Sequence, residues 1–154
     1  MHFHIAVVGK PRDANLAAAI AEYEARAARY WPMHISEVRE EPARSSSAEL
    51  VRAREAERLL AVIPSGAHIV ACELTGKAMT SEQFSAWLQQ LRERARDVAI
   101  VIGGAFGLGT AVRERASSTL ALAPWTLPHE LARLVLAEQL YRAGAILKGE
   151  PYHK

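Results

Sequence analysis

Residues 98–102 read VAIVI, five apolar positions with no polar interruption. A strand with one wet face alternates; an unbroken run rich in β-branched residues belongs to a strand covered on both faces. That arrangement is the habit of parallel sheets, whose crossover helices lie on either side. Five residues are a strand's length and too few for a helix. This chain must therefore supply helices for two faces, and its remaining pattern does alternate.

Phe3–Val8 predicts a first strand, ended by Gly9-Lys10-Pro11. Asn15–Tyr30 carries Leu16, Ile20, Tyr23 and Ala27 at helical spacing and stops at Trp31-Pro32. His34–Val38 predicts a short strand, and the polar Glu40–Ser47 a loop. Ala48–Ile63 predicts a second helix, ended by Pro64-Ser65-Gly66. His68–Cys72 predicts a strand, with a turn at Thr75-Gly76-Lys77. Thr80 and Gln83 have capping-box spacing, and Phe84, Trp87, Leu88 and Leu91 form the apolar stripe of the helix they open. After VAIVI come a glycine-rich loop, Gly103–Gly109, a short helix over 110–116, a strand over 118–122, and a long helix from Pro128 to Leu147 closed by Gly149. Strands alternating with helices predict an α/β fold with a mostly parallel sheet flanked by helices. At 154 residues the chain has the size of a single domain, 1–154.

One cysteine, Cys72, rules out an internal disulfide and suits a reducing compartment. The opening MHFHIAVVGK lacks the basic n-region and small-residue cleavage site of a secretory signal. No apolar run approaches the ~18–20 residues that span a bilayer. The expectation is a soluble, cytoplasmic protein. Net charge is +2, which does not mark out a nucleic-acid binder. Arg52, Arg54 and Arg58 are interleaved with Glu49, Glu55 and Glu57, which reads as a solvated helix face with short-range pairs.

The glycine loop VIGGAFGLG lies after a buried strand, where ligands bind in open α/β sheets. Its spacing, Gly104-x-x-Gly107-x-Gly109, is not the dinucleotide fingerprint, the next strand offers no ribose acid, and there is no phosphate loop. By itself it reads equally as a turn or a ligand loop. In APWTLPHELAR, 123–133, Pro128 suits the first turn of a helix, Thr126 can cap it, and Glu130 favours its dipole. His129 and Arg133, four apart, share one helix face. They would suit an anionic substrate; alternatively Arg133 pairs with a carboxylate and His129 hydrogen-bonds the loop. Cys72 beside Glu73 has no reason to be a reactive thiol. No zinc spacing or nucleophile elbow is present. The tail GEPYHK ends in residues able to bind or titrate, or simply frays.

Taken together, these pieces resemble one family. VIGG at 101–104 with GLG at 107–109, TLPHELAR at 126–133, EQLYRA at 138–143 and PYHK at 151–154 are similar to the ribosomal RNA large subunit methyltransferase H family, small enzymes of the SPOUT class. AVVGK at 6–10, AEYEAR at 21–26 and ELTGK at 73–77 fit the same pattern. The resemblance implies a homodimer that transfers a methyl group from S-adenosylmethionine to N3 of a pseudouridine in 23S rRNA of the assembled ribosome, without a metal. It implies a C-terminal trefoil knot over roughly 68–154, and poor activity on protein-free rRNA. It places the cofactor among three loops held mainly by backbone groups: the segment around Cys72–Gly76; the Gly103–Gly109 loop with Gly103 and Gly104; and Leu122, Ala123, Pro124, Trp125, Thr126 and Leu127 before Pro128. Its motif positions implicate His129, Arg133, Arg142, Tyr152 and His153 in catalysis. The arginines would hold phosphate or the developing N3 anion. His129 or His153 would take the proton, with His153, contributed near a partner's site, favoured. Ala105-Phe106 departs from the polar pattern at that loop. The rivals are a tRNA substrate, a non-catalytic ribosome-binding protein and a nucleotide-binding domain.

Overall fold

The computed structural model describes residues 1–44, 46–94 and 96–154. In chain order its elements are β1 Phe3–Val8, α1 Ala14–Ala27, β2 Met33–Val38, α2 Ala48–Ala61, β3 His68–Ala78, α3 Ser81–Glu93, β4 Val98–Ile102, α4 Thr110–Arg115, β5 Ser118–Ala121 and α5 His129–Lys148. The strands form one sheet in the order β2-β1-β4-β3-β5, and every ladder among the described residues is parallel. This is the α/β fold that VAIVI requires. Ser45, within the loop expected over Glu40–Ser47, lies outside the described residues. No helix among the described residues is long and apolar enough to cross a membrane.

The two faces of the sheet are unequal, and the strand alternation makes them so. Phe3, Ile5, Val7, Val98, Ile100 and Ile102 point to one face, where Trp31, Leu88, Leu136 and Leu140 of the α1–α3–α5 layer cover them. Ala6, Val8, Ala71, Ala99 and Val101 point to the other, under Leu59, Leu108 and Val112 of α2, α4 and the glycine loop. Small side chains on that second face bring α2 and the glycine loop close to the strands.

Local signals hold at several ends. Thr80 and Gln83 close the capping box of α3, with the Gln83 amide N–H donating to Thr80 Oγ1 at 3.2 Å and the Thr80 N–H to Gln83 Oε1 at 2.9 Å. Gly149, at φ 67°, caps α5. Three expectations need correcting. No side chain caps α5, so Thr126 does not; Pro128 is the residue before its first turn. Strand β3 does not end at Cys72. Both Cys72 and Lys77 register with Leu120, so Glu73–Gly76 bulges out of the ladder and the strand resumes. Gly76 permits the return, since a Cβ there would meet the Leu120 backbone at 2.6 Å. Along α2, Arg54 and Arg58 both bind Glu41 instead of their helix neighbours, and Glu55 is buried, not solvated.

Candidate active site

The carboxyl ends of β3, β4 and β5 open into a cavity of about 300 Å³. Three segments build its wall. The first is the β3 bulge, Cys72–Thr75. The second is the glycine loop: the Gly107 N–H closes a turn onto the Gly104 carbonyl at 3.0 Å, and Gly107 takes φ +82°, a conformation that glycine adopts freely. A Cβ at Gly103 would lie 2.6 Å from the Gly107 carbonyl carbon, so the loop folds this tightly only because Gly103 has none. The third is the segment between β5 and α5.

Of the expected cofactor residues, Cys72, Gly103, Gly104, Leu122, Ala123, Trp125, Thr126 and Leu127 line this cavity; Pro124, exposed between them, does not. His129 lines it too. Sequence reasoning missed Arg113 and Ala132. Ala132 sits three residues after His129 on α5, a spacing that could have found it. Arg113 comes from α4 and is tied to the Glu73 carboxylate, a pairing with no local signal. Burial and the neighbouring Glu73 push the Cys72 thiol up to about 12, so it is no nucleophile at neutral pH. Ala105 and Phe106 stand exposed at the tip of the glycine loop.

Behind the glycine loop lies Glu55, only 3% exposed. Its Oε2 accepts from the Glu41 N–H at 3.1 Å, and Oε1 has no partner among the described residues. A Cβ on Gly104 would come within 2.9 Å of that oxygen. Burial, reinforced by the charge of Glu40, raises the Glu55 carboxyl above its usual range. On the same side His129 Nε2 is buried without a hydrogen bond, 3.5 Å from Glu40 Oε1, while Arg12 holds the other Glu40 oxygen at 2.6 Å.

The remaining candidates lie elsewhere. Arg133 is buried, and its guanidinium forks onto Glu24 at 2.7 and 3.2 Å and reaches Glu37 at 3.1 Å. Burial works against its charge, but the two carboxylates outweigh that and hold its pKa above the ordinary value. This is the carboxylate-pairing alternative. Arg142, Tyr152 and His153 form a second cluster, because the tail folds back on its own chain. The Tyr152 ring lies 4.5 Å from that of Tyr141 and under the Arg142 guanidinium at 4.7 Å. Arg142 and the Tyr152 hydroxyl both donate to Glu138 Oε1, at 2.5 and 3.0 Å. His153 contacts Arg142 at 3.2 Å through Nδ1 and Glu82 at 2.8 Å through Nε2. Burial, with Tyr23 and Glu138, raises the Tyr152 phenol.

The cavity fits S-adenosylmethionine in kind. Its wall is mainly apolar side chains and backbone, its glycines clear the approach, and its polar side groups include Thr75, Thr126, Glu73 and Arg113. The comparisons with known proteins agree. A family model described as "Predicted SPOUT methyltransferase" matches residues 1–153. A Gemmatimonas aurantiaca protein named ribosomal RNA large subunit methyltransferase H is 62% identical over the full length of both chains. An Anaeromyxobacter protein of the same name is 46% identical, again over both full lengths. Among solved structures, a probable methyltransferase from Bordetella pertussis superposes with a TM-score of 0.54 at 15% identity, covering 92% of this chain and 95% of that one. That last likeness is one of fold.

Proposed function

The chain belongs to the SPOUT methyltransferase family, and on that premise we propose that it methylates N3 of a pseudouridine in 23S rRNA of the assembled ribosome, as a cytoplasmic homodimer. It is an S-adenosylmethionine-dependent methyltransferase; bound in the cavity, that cofactor supplies a methyl group already activated on a sulfonium. The knotted C-terminal region, roughly 68–154, belongs to this reading.

What the chain contributes is position and proton handling. The backbone of Leu122–Leu127 and the glycine loop hold the cofactor. The tight Gly103–Gly107 turn gives the cavity wall its shape. His153 of the partner subunit takes the N3 proton, since His129 Nε2 is buried against Glu40 behind the glycine loop. Arg133 acts through position: it anchors α5 one turn beyond His129. Arg142, Tyr152 and His153 serve the partner's substrate, since none of them lines the cavity of their own chain.

The observation that supports this reading best is the convergence of the three cofactor segments on one cavity. The test is calorimetric titration with S-adenosylmethionine, followed by transfer of labelled methyl to ribosomes, protein-free 23S rRNA and tRNA. Saturable binding and transfer to ribosomes are expected, with little transfer to protein-free rRNA. Gly103→Val should abolish both binding and transfer, because its side chain cannot coexist with the turn. Transfer to tRNA in place of ribosomes would overturn the substrate assignment; binding without transfer to any RNA would overturn the enzymatic reading.

A further inference from the structure

Large apolar side chains left in water are informative when they gather at one place. Three of them stand on the segments that build the cavity wall. Trp125 is 77% exposed, Leu74 55% and Phe106 44%. They come from separate segments: the loop before α5, the β3 bulge and the tip of the glycine loop. Leu74 and Trp125 line the cavity itself. The other two tryptophans are spent on packing, Trp31 edge-on to Phe3 at 5.2 Å and Trp87 beside Phe84 at 5.9 Å. Pro124 and Pro128 restrict the backbone on either side of Trp125, so its indole is presented from a stiff loop.

The cavity, at about 300 Å³, is at the small end for one small-molecule ligand. S-adenosylmethionine held there would occupy it. The reacting nitrogen must come within about 3.5 Å of the methyl carbon, so the base carrying it meets the cavity at its mouth, against these three side chains. We propose that Trp125 is the stacking platform for the target nucleobase, with Phe106 and Leu74 bounding the opening. This rests on the RNA-methyltransferase reading above. A flat heterocycle suits the site: an indole 77% exposed in the cavity wall offers a ring face on which a base can stack. Arg113, in the same wall and with its side chain 55% exposed, offers a cation to the attached phosphate.

The test compares Trp125→Ala and Trp125→Phe with the wild type on whichever RNA the wild type methylates. Because the side chain is exposed, neither change threatens folding. Losing one base–aromatic stack should raise KM for the RNA about tenfold or more, with Phe recovering most of it. Calorimetric affinity for S-adenosylmethionine and the sedimentation coefficient should stay as in the wild type. An unchanged KM overturns the proposal. So does loss of self-association in Trp125→Ala, which would make a second copy the occupant, or loss of cofactor affinity, which would put the indole on the cofactor. If the wild type methylates tRNA but not ribosomes, the substrate assignment fails while the KM ratio still decides this inference.

Discussion

Glu55 shows what a single buried carboxyl does to the whole chain's response to pH. The groups facing it are the Glu40 carboxylate, the Glu41 N–H, Arg58 and His129. Burial raises its pKa above the ordinary 4.5. Between 4.5 and the raised value the folded protein keeps a proton that the unfolded chain has released. The stability this supplies is therefore complete below about pH 4.5 and is lost as pH rises through the folded pKa. Glu55→Gln keeps an acceptor for the Glu41 N–H and removes the titration. Its Tm should fall less than that of the wild type as pH rises through this window; parallel curves would mean that Glu55 ionises alike in both states. Nothing in the sequence separated Glu55 from Glu49 and Glu57. All three sit among arginines on α2, and only tertiary packing under Gly104 singles one out.

At the scale of elements, Arg133 ties α5 to α1 through Glu24 and to β2 through Glu37. Arg133→Met would strand both carboxylates in a largely buried place. It should cost about 3 kcal/mol in denaturant unfolding, the range for breaking a buried pair. Arg133→Lys should recover only part of that, because an ammonium cannot fork onto Glu24. A loss under about 0.5 kcal/mol would show that desolvation had cancelled the pairs. The elements themselves were largely legible. Apolar runs and glycine or proline stops located β1 and β4 to the residue and the helix starts closely, because those signals are local. The extent of β3 was not legible: Thr75-Gly76-Lys77 has turn chemistry, and only its register against Leu120 returns it to the sheet. Four-residue spacing rightly put His129 and Arg133 on one face, and both line a small cleft against β1. What the spacing could not show is that only His129 reaches the large cavity, while Arg133 is held by α1 and β2.

At the scale of the molecule, the protomer keeps its candidate chemistry in two places: His129 in the cavity wall, and Arg142, Tyr152 and His153 pinned by Glu138 and Glu82. The tail does not fray but is packed, through contacts between residues 71 positions apart that no local pattern encodes. Under the homodimer reading, a two-fold axis brings one chain's tail to the other's cavity. Gly103→Val destroys the cavity and leaves the tail; His153→Ala does the reverse. If each is inactive alone, refolding them together at equal amounts gives half mixed dimers, each with one intact cavity served by an intact tail. About a quarter of wild-type ribosome methylation should return, from random pairing of two-fold dimers. Were cavity and tail required in the same chain, the mixture would stay as inactive as its parts, and the shared site would be lost as an explanation for why the tail is built this way.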